Sequence, residues 1–134
     1  MEMTDKELLA EAESAMEKAY APYSHFKVGA ALLSSDGRCF SGCNVENASF
    51  GAAICAERNA MTSAVSCGCT SVSKVAVVSS GGGFTYPCGI CRQFLSEFME
   101  EDGTVILCDR EKGIKEIPFR ELFPFPFDKN SLNE

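Results

Sequence analysis

The spacing of apolar positions predicts that the chain begins with an amphipathic helix. Apolar residues recur every three or four positions, as they do on one face of a helix, at Leu8, Leu9, Ala12, Ala15, Met16 and Ala19. Thr4 and Glu7 match a capping box at the start of this helix. The helix is predicted over 5–20, because Pro22 disfavours helical backbone in the residue before it.

Further along, short apolar runs bounded by turn residues predict strands that alternate with helices. Strands are predicted at 27–34, 38–44, 74–80, 104–108 and 115–117. Helices are predicted at 56–66, at 88–99 and, as a single turn, at 121–123. Helices between strands indicate crossover connections. We therefore expect an α/β protein with three layers (α/β/α) around a mixed sheet of roughly five strands.

Composition and charge narrow the class of protein. The 134 residues are 46% hydrophobic, which is enough for a real core and fits one domain over 1–134. The net charge of −7 argues against a nucleic-acid partner, because phosphate binding needs a basic surface. No apolar run has the length of a transmembrane helix, so we expect no membrane partner. Residues 1–20 carry charges throughout and lack the apolar core of a signal peptide, which predicts a reducing, cytoplasmic setting.

The eight cysteines are the most informative part of the composition. Clustered cysteines in a reducing compartment more often bind metal or do chemistry than form disulfides. Three of them, Cys55, Cys88 and Cys91, fall at the predicted starts of two helices, where unpaired amides and the helix dipole favour thiolate. Cys88 and Cys91 are three residues apart and share a helix face. Three thiolates with an open fourth position form a catalytic zinc site, so we expect one Zn²⁺ per chain.

The residues beside these cysteines indicate what the metal site does. Glu57 follows Cys55 by two positions, so it can exchange protons at the open position without being a ligand. The two segments, CAE at 55–57 and PCGIC at 87–91, match the three-cysteine variant of the zinc deaminase signature, in which the Glu is the general acid and base. Glu57 is therefore the candidate catalytic residue. Arg58 and Arg92 adjoin the two segments, and we expect them to donate to the thiolates and offset their negative charge.

A structural zinc site is one alternative that the sequence leaves open. Such a site would recruit a fourth ligand from Cys43, Cys67 or Cys69, and the protein would then be a non-catalytic zinc module that mediates protein contacts. The segment 67–69 is more simply explained as the end of a helix. The cysteines in apolar strands are expected to be small core residues, namely Cys39 and Cys108.

A thiol redox protein is the other alternative. Cys88 and Cys91 have the spacing of a redox pair and follow a glycine-rich loop. Cys55 and Glu57 would have no part in that chemistry, which makes this alternative the less complete account of the motif.

Several segments taken together resemble the small cytidine deaminases over residues 19–127. The likeness rests on AYAPYS at 19–24, FKVGAAL at 26–32, GCNVENAS at 42–49, CAER at 55–58 and PCGICRQ at 87–93. The resemblance implies hydrolytic deamination of free cytidine and deoxycytidine to uridine and deoxyuridine, with release of ammonia, in pyrimidine salvage. It also implies one Zn²⁺ per chain and a homotetramer whose sites are shared between subunits.

The resemblance also implies roles for individual residues. Phe26 resembles the aromatic residue that packs on the pyrimidine, and Asn44 and Glu46 resemble the pair that hydrogen-bonds the ribose 3′-hydroxyl. Ala56 resembles the residue whose backbone helps to hold the base. Phe127 resembles the tail residue that reaches into a neighbouring subunit's site.

The sequence departs from the family's pattern at a few places. Phe50 stands where many members have Tyr, which removes a hydroxyl near the sugar or a subunit interface.

The nearest rival function is the same chemistry on another amine, such as a blasticidin-type antibiotic or a modified base. Asn44 and Glu46 favour a ribose-containing substrate over these.

Overall fold

The computed structural model describes residues 3–132, and its first element is helix α1 (Asp5–Met16). The Thr4 hydroxyl accepts from the Glu7 backbone N–H at 3.2 Å, and the Thr4 N–H donates to the Glu7 carboxylate at 2.9 Å. The predicted capping box is therefore confirmed, and it satisfies two amide groups that the helix leaves unpaired.

The end of α1 is earlier than predicted, at Met16 rather than at residue 20. The cause is a tertiary contact, because Tyr20 pairs with an extended segment instead of continuing the helix. Its N–H donates to the Asn44 carbonyl at 3.0 Å, and its carbonyl accepts from the Glu46 N–H at 2.8 Å. Backbone groups satisfied in this way have no partner to gain from another helical turn.

Five strands form one mixed sheet in the order β2-β1-β3-β4-β5. Their bounds are β1 (Val28–Ser34), β2 (Cys39–Cys43), β3 (Val72–Ser79), β4 (Met99–Asp109) and β5 (Gly113–Pro118). β1 is antiparallel to both β2 and β3, β3 and β4 are parallel, and β5 is antiparallel to β4. The expected mixed sheet is confirmed.

Helix α2 (Ala56–Ser66) has the predicted bounds, and helix α3 (Gly89–Ser96) is shorter than the predicted 88–99. Cys88 caps α3 rather than belonging to it, and Met99 already pairs with Val72 as the first residue of β4. Short helices α4 (Phe119–Leu122) and α5 (Lys129–Leu132) follow near the C-terminus, and a 3-10 turn covers Phe50–Ala52.

The sheet has a buried core on each face, because successive strand residues point to opposite sides. On one face α1 packs over a cluster formed by Leu8, Leu9, Ala12, Ala31, Leu33, Ala76, Val78 and Ile106. On the other face α2, α3 and α4 pack over a larger cluster that includes Ala30, Leu32, Ala60, Met61, Val75, Val77, Leu95, Val105, Leu107 and Phe119. These layers are the predicted α/β/α arrangement.

Close packing of α2 against the sheet depends on Gly42 of β2. A Cβ at this position would lie 2.6 Å from the Ala60 backbone nitrogen and 2.8 Å from the Asn59 Cβ. A glycine is therefore required here for α2 to lie so near to β2. The start of α2, which carries the functional motif, is positioned by this contact.

The eight cysteines all lie within the described residues and are free thiols. Cys67 is the C-cap of α2, as expected for the end of a helix, and Cys39 and Cys108 pack partly buried against the α1-side core.

Within residues 3–132 the helices are too short or too polar to cross a lipid bilayer.

Candidate metal centre and active site

Three cysteine sulfurs converge at one end of the α2–α3 layer. The Sγ atoms of Cys55, Cys88 and Cys91 all lie within 4.8 Å of one another. The Cys55 and Cys88 sulfurs are 3.8 Å apart. A tetrahedral Zn²⁺ with Zn–S bonds of about 2.3 Å separates two thiolates by about 3.8 Å, so the residues present fit the metal.

The number of ligands is that of a catalytic zinc site. Among residues 3–132, the group of potential ligands that meets this distance holds three thiols and no fourth Cys, His, Asp or Glu. The fourth ligands considered for a structural site, Cys43, Cys67 and Cys69, are not in it. Three protein ligands leave one coordination position for water or substrate.

Two helix N-termini bring the sulfurs together. Cys55 is the N-cap of α2 and Cys88 is the N-cap of α3, both with extended backbone, and Cys91 lies buried in the first turn of α3. The unpaired amides and the positive ends of two helix dipoles therefore point toward the thiols, which favours the thiolate form that binds metal. The sequence predicts this part of the site because each motif is local.

Arg58 supplies positive charge at the first thiol. Its Nη2 donates to Cys55 Sγ at 3.9 Å and to the Ala53 carbonyl at 3.4 Å. The hydrogen bond with the Cys91 thiol, together with Arg58, lowers the pKa of Cys55 to about 5 against the opposing effect of burial. The same bond to Cys55 raises the pKa of Cys91.

Arg92 has different partners from those expected. Its Nε donates to the Pro87 carbonyl at 2.7 Å, and its Nη1 donates to the Leu122 carbonyl at 2.8 Å. The side chain thus fixes the residue that precedes Cys88 and ties it to α4. The expected hydrogen bond to a thiolate is replaced by these two backbone contacts, because the carbonyls of the preceding loop and of α4 lie within reach of the guanidinium.

Glu57 is a carboxyl group buried beside the thiols. It lies in the first turn of α2 and is only 5% exposed. Burial raises the pKa of Glu57 to about 6, and the charge of Cys55 acts in the same direction. A carboxyl that titrates near neutral pH can both accept and deliver a proton, which is what a general acid–base residue must do.

One cavity of about 240 Å³ joins the metal centre to an aromatic wall. Its lining consists of Phe26, Val28, Asn44, Cys55, Ala56, Glu57, Thr85, Tyr86 and Cys88. The structure thus brings together six of the residues that the sequence analysis selects, namely Phe26, Asn44, Cys55, Ala56, Glu57 and Cys88. Thr85 and Tyr86 were missed by the sequence analysis, although their position just before Pro87 and Cys88 was a usable signal.

Asn44 and Glu46 both hold the segment 23–28. Asn44 Oδ1 accepts from the Val28 N–H at 2.8 Å, and its Nδ2 donates to the Phe26 carbonyl at 2.9 Å. Glu46 Oε1 accepts from the N–H groups of Tyr23 and Ser24 at 3.0 and 3.2 Å, and its Oε2 accepts from the Ser24 hydroxyl. These bonds, the Ser24 hydroxyl foremost, lower the pKa of the Glu46 carboxyl.

The two residues of this pair face different depressions. Asn44 lines the cavity with Glu57, whereas Glu46 lines a neighbouring depression of about 410 Å³ with Tyr23, Ser24, Asn47, Phe50 and Ala53. Phe50 is 78% exposed, and its ring makes an edge contact with Tyr23 at a centroid distance of 6.2 Å.

Phe127 lies on the surface, outside the residues that line the cavity of its own chain. Its backbone is held by Gln93 of α3, whose Nε2 donates to the Phe127 carbonyl at 2.9 Å and whose Oε1 accepts from its N–H at 3.2 Å. The ring itself is 59% exposed. The tail is therefore anchored while its aromatic side chain points away from the chain's own core.

A three-thiol centre, a buried carboxyl and a shared cavity at two helix N-termini define a zinc enzyme on an α/β/α fold. Residues 2–108 match the family model described as "Cytidine and deoxycytidylate deaminase zinc-binding region". The chain is 43% identical to the cytidine deaminase of Sporosarcina psychrophila over 98% of this chain and 96% of that protein. The chain therefore belongs to the cytidine and deoxycytidylate deaminase family.

Solved structures with the same architecture support this assignment. A cytidine deaminase from Burkholderia pseudomallei superposes with a TM-score of 0.87 at 44% identity, covering 93% of this chain and 100% of that one. A cytidine deaminase from Mycobacterium tuberculosis superposes with a TM-score of 0.81 at 35% identity, covering 95% and 99%. The zinc requirement expected from the cysteine motif is confirmed by the family model together with the geometry of the three thiols.

Proposed function

We propose that the chain catalyses the zinc-dependent hydrolytic deamination of free cytidine and deoxycytidine, giving uridine and deoxyuridine and releasing ammonia. The single observation that carries this proposal is the placement of Glu57, buried beside the three thiols of Cys55, Cys88 and Cys91 in a cavity that has an aromatic wall. Membership of the deaminase family makes hydrolysis of an amine the reaction class.

Glu57 is proposed as the catalytic residue. Zinc held by the three cysteines would supply Lewis-acid activation of a water molecule near neutral pH. Glu57 would accept one proton from this water and deliver it to N3 of the pyrimidine while the water oxygen bonds to C4. Glu57 would then accept the proton of the new C4 hydroxyl and deliver it to the amino nitrogen, which leaves as ammonia when the C4–N bond breaks. Its burial shields the carboxyl from bulk solvent, and a pKa of about 6 leaves both protonation states accessible near neutral pH.

The base is proposed to lie against Phe26, with the Ala56 backbone at its polar edge. Phe26 lines the cavity with a ring that is 41% exposed, and a flat aromatic surface is a suitable partner for the face of a pyrimidine. Ala56 lies between Cys55 and Glu57 and lines the same cavity, and its methyl side chain carries no polar group, so its backbone is the part that can hydrogen-bond a ligand.

Asn44 and Glu46 are proposed to bind the ribose through the donor and acceptor groups that are not used in hydrogen bonds within the protein. An ionised carboxylate offers about four acceptor sites, and a primary amide carries two N–H donors. Glu46 uses three of its acceptor sites for Tyr23 and Ser24, and Asn44 uses one N–H for the Phe26 carbonyl. Each side chain keeps one further hydrogen bond for a sugar hydroxyl, which favours a nucleoside over an antibiotic amine.

We also propose a single-domain cytoplasmic enzyme of pyrimidine salvage that acts as a homotetramer. The exposed ring of Phe127, on a tail held by Gln93, supports this proposal because it leaves an aromatic group available for contact with a neighbouring subunit. The acidic net charge of −7 suits a small neutral nucleoside better than a polynucleotide.

The absorbance of cytidine incubated with the purified protein tests the reaction. We expect loss of the cytidine band, and we expect a zinc chelator to stop that loss while one zinc per chain is removed. Assays with dCMP, cytosine and a blasticidin-type antibiotic separate the related substrates. Ammonia release from one of these but not from cytidine would contradict the assigned substrate.

A further inference from the structure

The ring that faces the proposed base site is carried by a segment whose backbone is unusual. His25, directly before Phe26, has a φ of 60°, in the left-handed region that residues other than glycine rarely adopt. Such a conformation persists only where surrounding contacts hold it. The contacts that hold this segment therefore decide where the Phe26 ring lies.

The Ser24 hydroxyl connects Glu46 to Phe26 across this strained residue. It donates to Glu46 Oε2 and accepts from the Phe26 backbone N–H at 3.0 Å. The Glu46 carboxylate also accepts from the backbone N–H groups of Tyr23 and Ser24, so it fixes the N-terminal side of His25. Ser24 is the one described residue that bonds to both Glu46 and Phe26.

We propose that Ser24 is a positioning residue for the deamination reaction, whose hydroxyl couples the Glu46 carboxylate to the Phe26 ring. The inference rests on the proposed function, in which Phe26 packs on the base and Glu46 binds the sugar. Because Ser24 bonds to both residues, sugar binding at Glu46 and the position of the Phe26 ring on the base both depend on the loop that contains Ser24. Ser24 itself does not line the cavity that holds Glu57; it lines the neighbouring depression with Glu46.

Ser24→Ala removes both hydrogen bonds and leaves the metal ligands and Glu57 intact. We expect the KM for cytidine to rise about fivefold, since each lost hydrogen bond weakens its partner's position modestly. The kcat should change little, because the ring contacts the substrate in the ground state and in the transition state alike. Ser24→Thr keeps the hydroxyl and should restore the KM. Ser35→Ala is the matched control, because its hydroxyl pairs with Ser71 at the far end of β1.

The Phe26→Leu background tests whether Ser24 acts through the ring. Without the ring, Ser24→Ala should have little further effect on the KM, so the two changes should be strongly non-additive. Simple addition of their effects would show that Ser24 acts elsewhere and would overturn the proposal.

Hydrogen exchange at the Phe26 amide provides a readout that does not depend on turnover. Because Ser24 Oγ accepts from this N–H, Ser24→Ala should speed its exchange about tenfold while Ser35→Ala does not. Unchanged exchange would overturn the proposal, and so would faster exchange with an unchanged KM. If the wild-type protein did not deaminate cytidine, the proposed function would fail, whereas the exchange rate would still decide whether Ser24 holds the Phe26 loop.

Discussion

The ring of Phe26 lies directly against the α-carbon of Gly81. A Cβ at position 81 would come within 2.7 Å of Phe26 Cε1, closer than any side chain tolerates. The loop after β3 and the segment before β1 therefore meet at a contact that has no room for a side chain at position 81 unless the Phe26 ring moves. The base-facing ring packs on this glycine, and the Phe26 backbone N–H is held by the Ser24 hydroxyl, which in turn bonds to Glu46.

Gly81→Ala should displace the Phe26 ring and weaken nucleoside binding. The ring is 41% exposed and can turn outward, so we expect a loss of base packing rather than unfolding. A loss of about 1 kcal/mol corresponds to a rise in KM of about fivefold. Steady-state kinetics with cytidine measure it. Gly82→Ala is the control, since nothing lies within 4 Å of a Cβ there; equal KM values for the two variants would refute the role of Gly81.

Glu57→Gln should keep one zinc per chain and lose nearly all turnover. The amide has almost the same shape as the carboxyl but cannot carry the proton, and general acid–base catalysis contributes at least about a hundredfold in rate. Metal analysis and the cytidine assay together measure both effects. Turnover close to that of the wild type would exclude Glu57 as the proton carrier.

Cys91→Ser should abolish stoichiometric zinc binding and lower the melting temperature. Cys91 is buried within the three-thiol group, and a bound metal stabilises the folded state by mass action. Metal content and thermal unfolding, each with and without added zinc, provide the measurement. Cys67→Ser is the matched control because Cys67 is the exposed C-cap of α2. Loss of zinc in this control would restore the structural-site interpretation.

Phe127→Ala should weaken nucleoside binding, reduce the assembly mass or do both. Its ring is exposed on the isolated chain, while Gln93 keeps its backbone in place, so the substitution removes only the projecting group. Kinetics and the mass in solution measure the two effects. Phe125→Ala, with a ring that is 92% exposed, serves as the comparison. If kinetics and mass were both unchanged for Phe127→Ala, its ring would not cross a subunit boundary.

Sequence patterns predicted those parts of the protein that depend on short-range order. The bounds of α2, the capping box at Thr4 and Glu7 and the three thiols follow from residues a few positions apart. Helix periodicity, cap chemistry and the electrostatics of a helix N-terminus act over one or two turns, so they can be inferred without a structure.

Other features of the site depend on residues that are distant in the sequence. Arg92 was expected at a thiolate and instead bonds to the nearby Pro87 carbonyl and to the carbonyl of Leu122, which is 30 residues away. Glu46 was expected at a sugar hydroxyl, and the structure adds its role in holding Tyr23 and Ser24. No local sequence pattern predicts such contacts, because the packing of helices and strands determines which residues more than twenty positions apart become hydrogen-bond partners.

The sequence by itself determined the α/β class and the family resemblance, and it predicted the three thiols that the structure brings together and the catalytic candidate Glu57. Only the tertiary structure decided where α1 ends, which wall faces the metal, and how Ser24 and Gly81 support Phe26. The physical reason is the separation along the sequence over which each kind of interaction acts. Ligand motifs and helix caps are specified within a few residues, whereas the shape of a cavity is the sum of contacts between elements that the fold brings together.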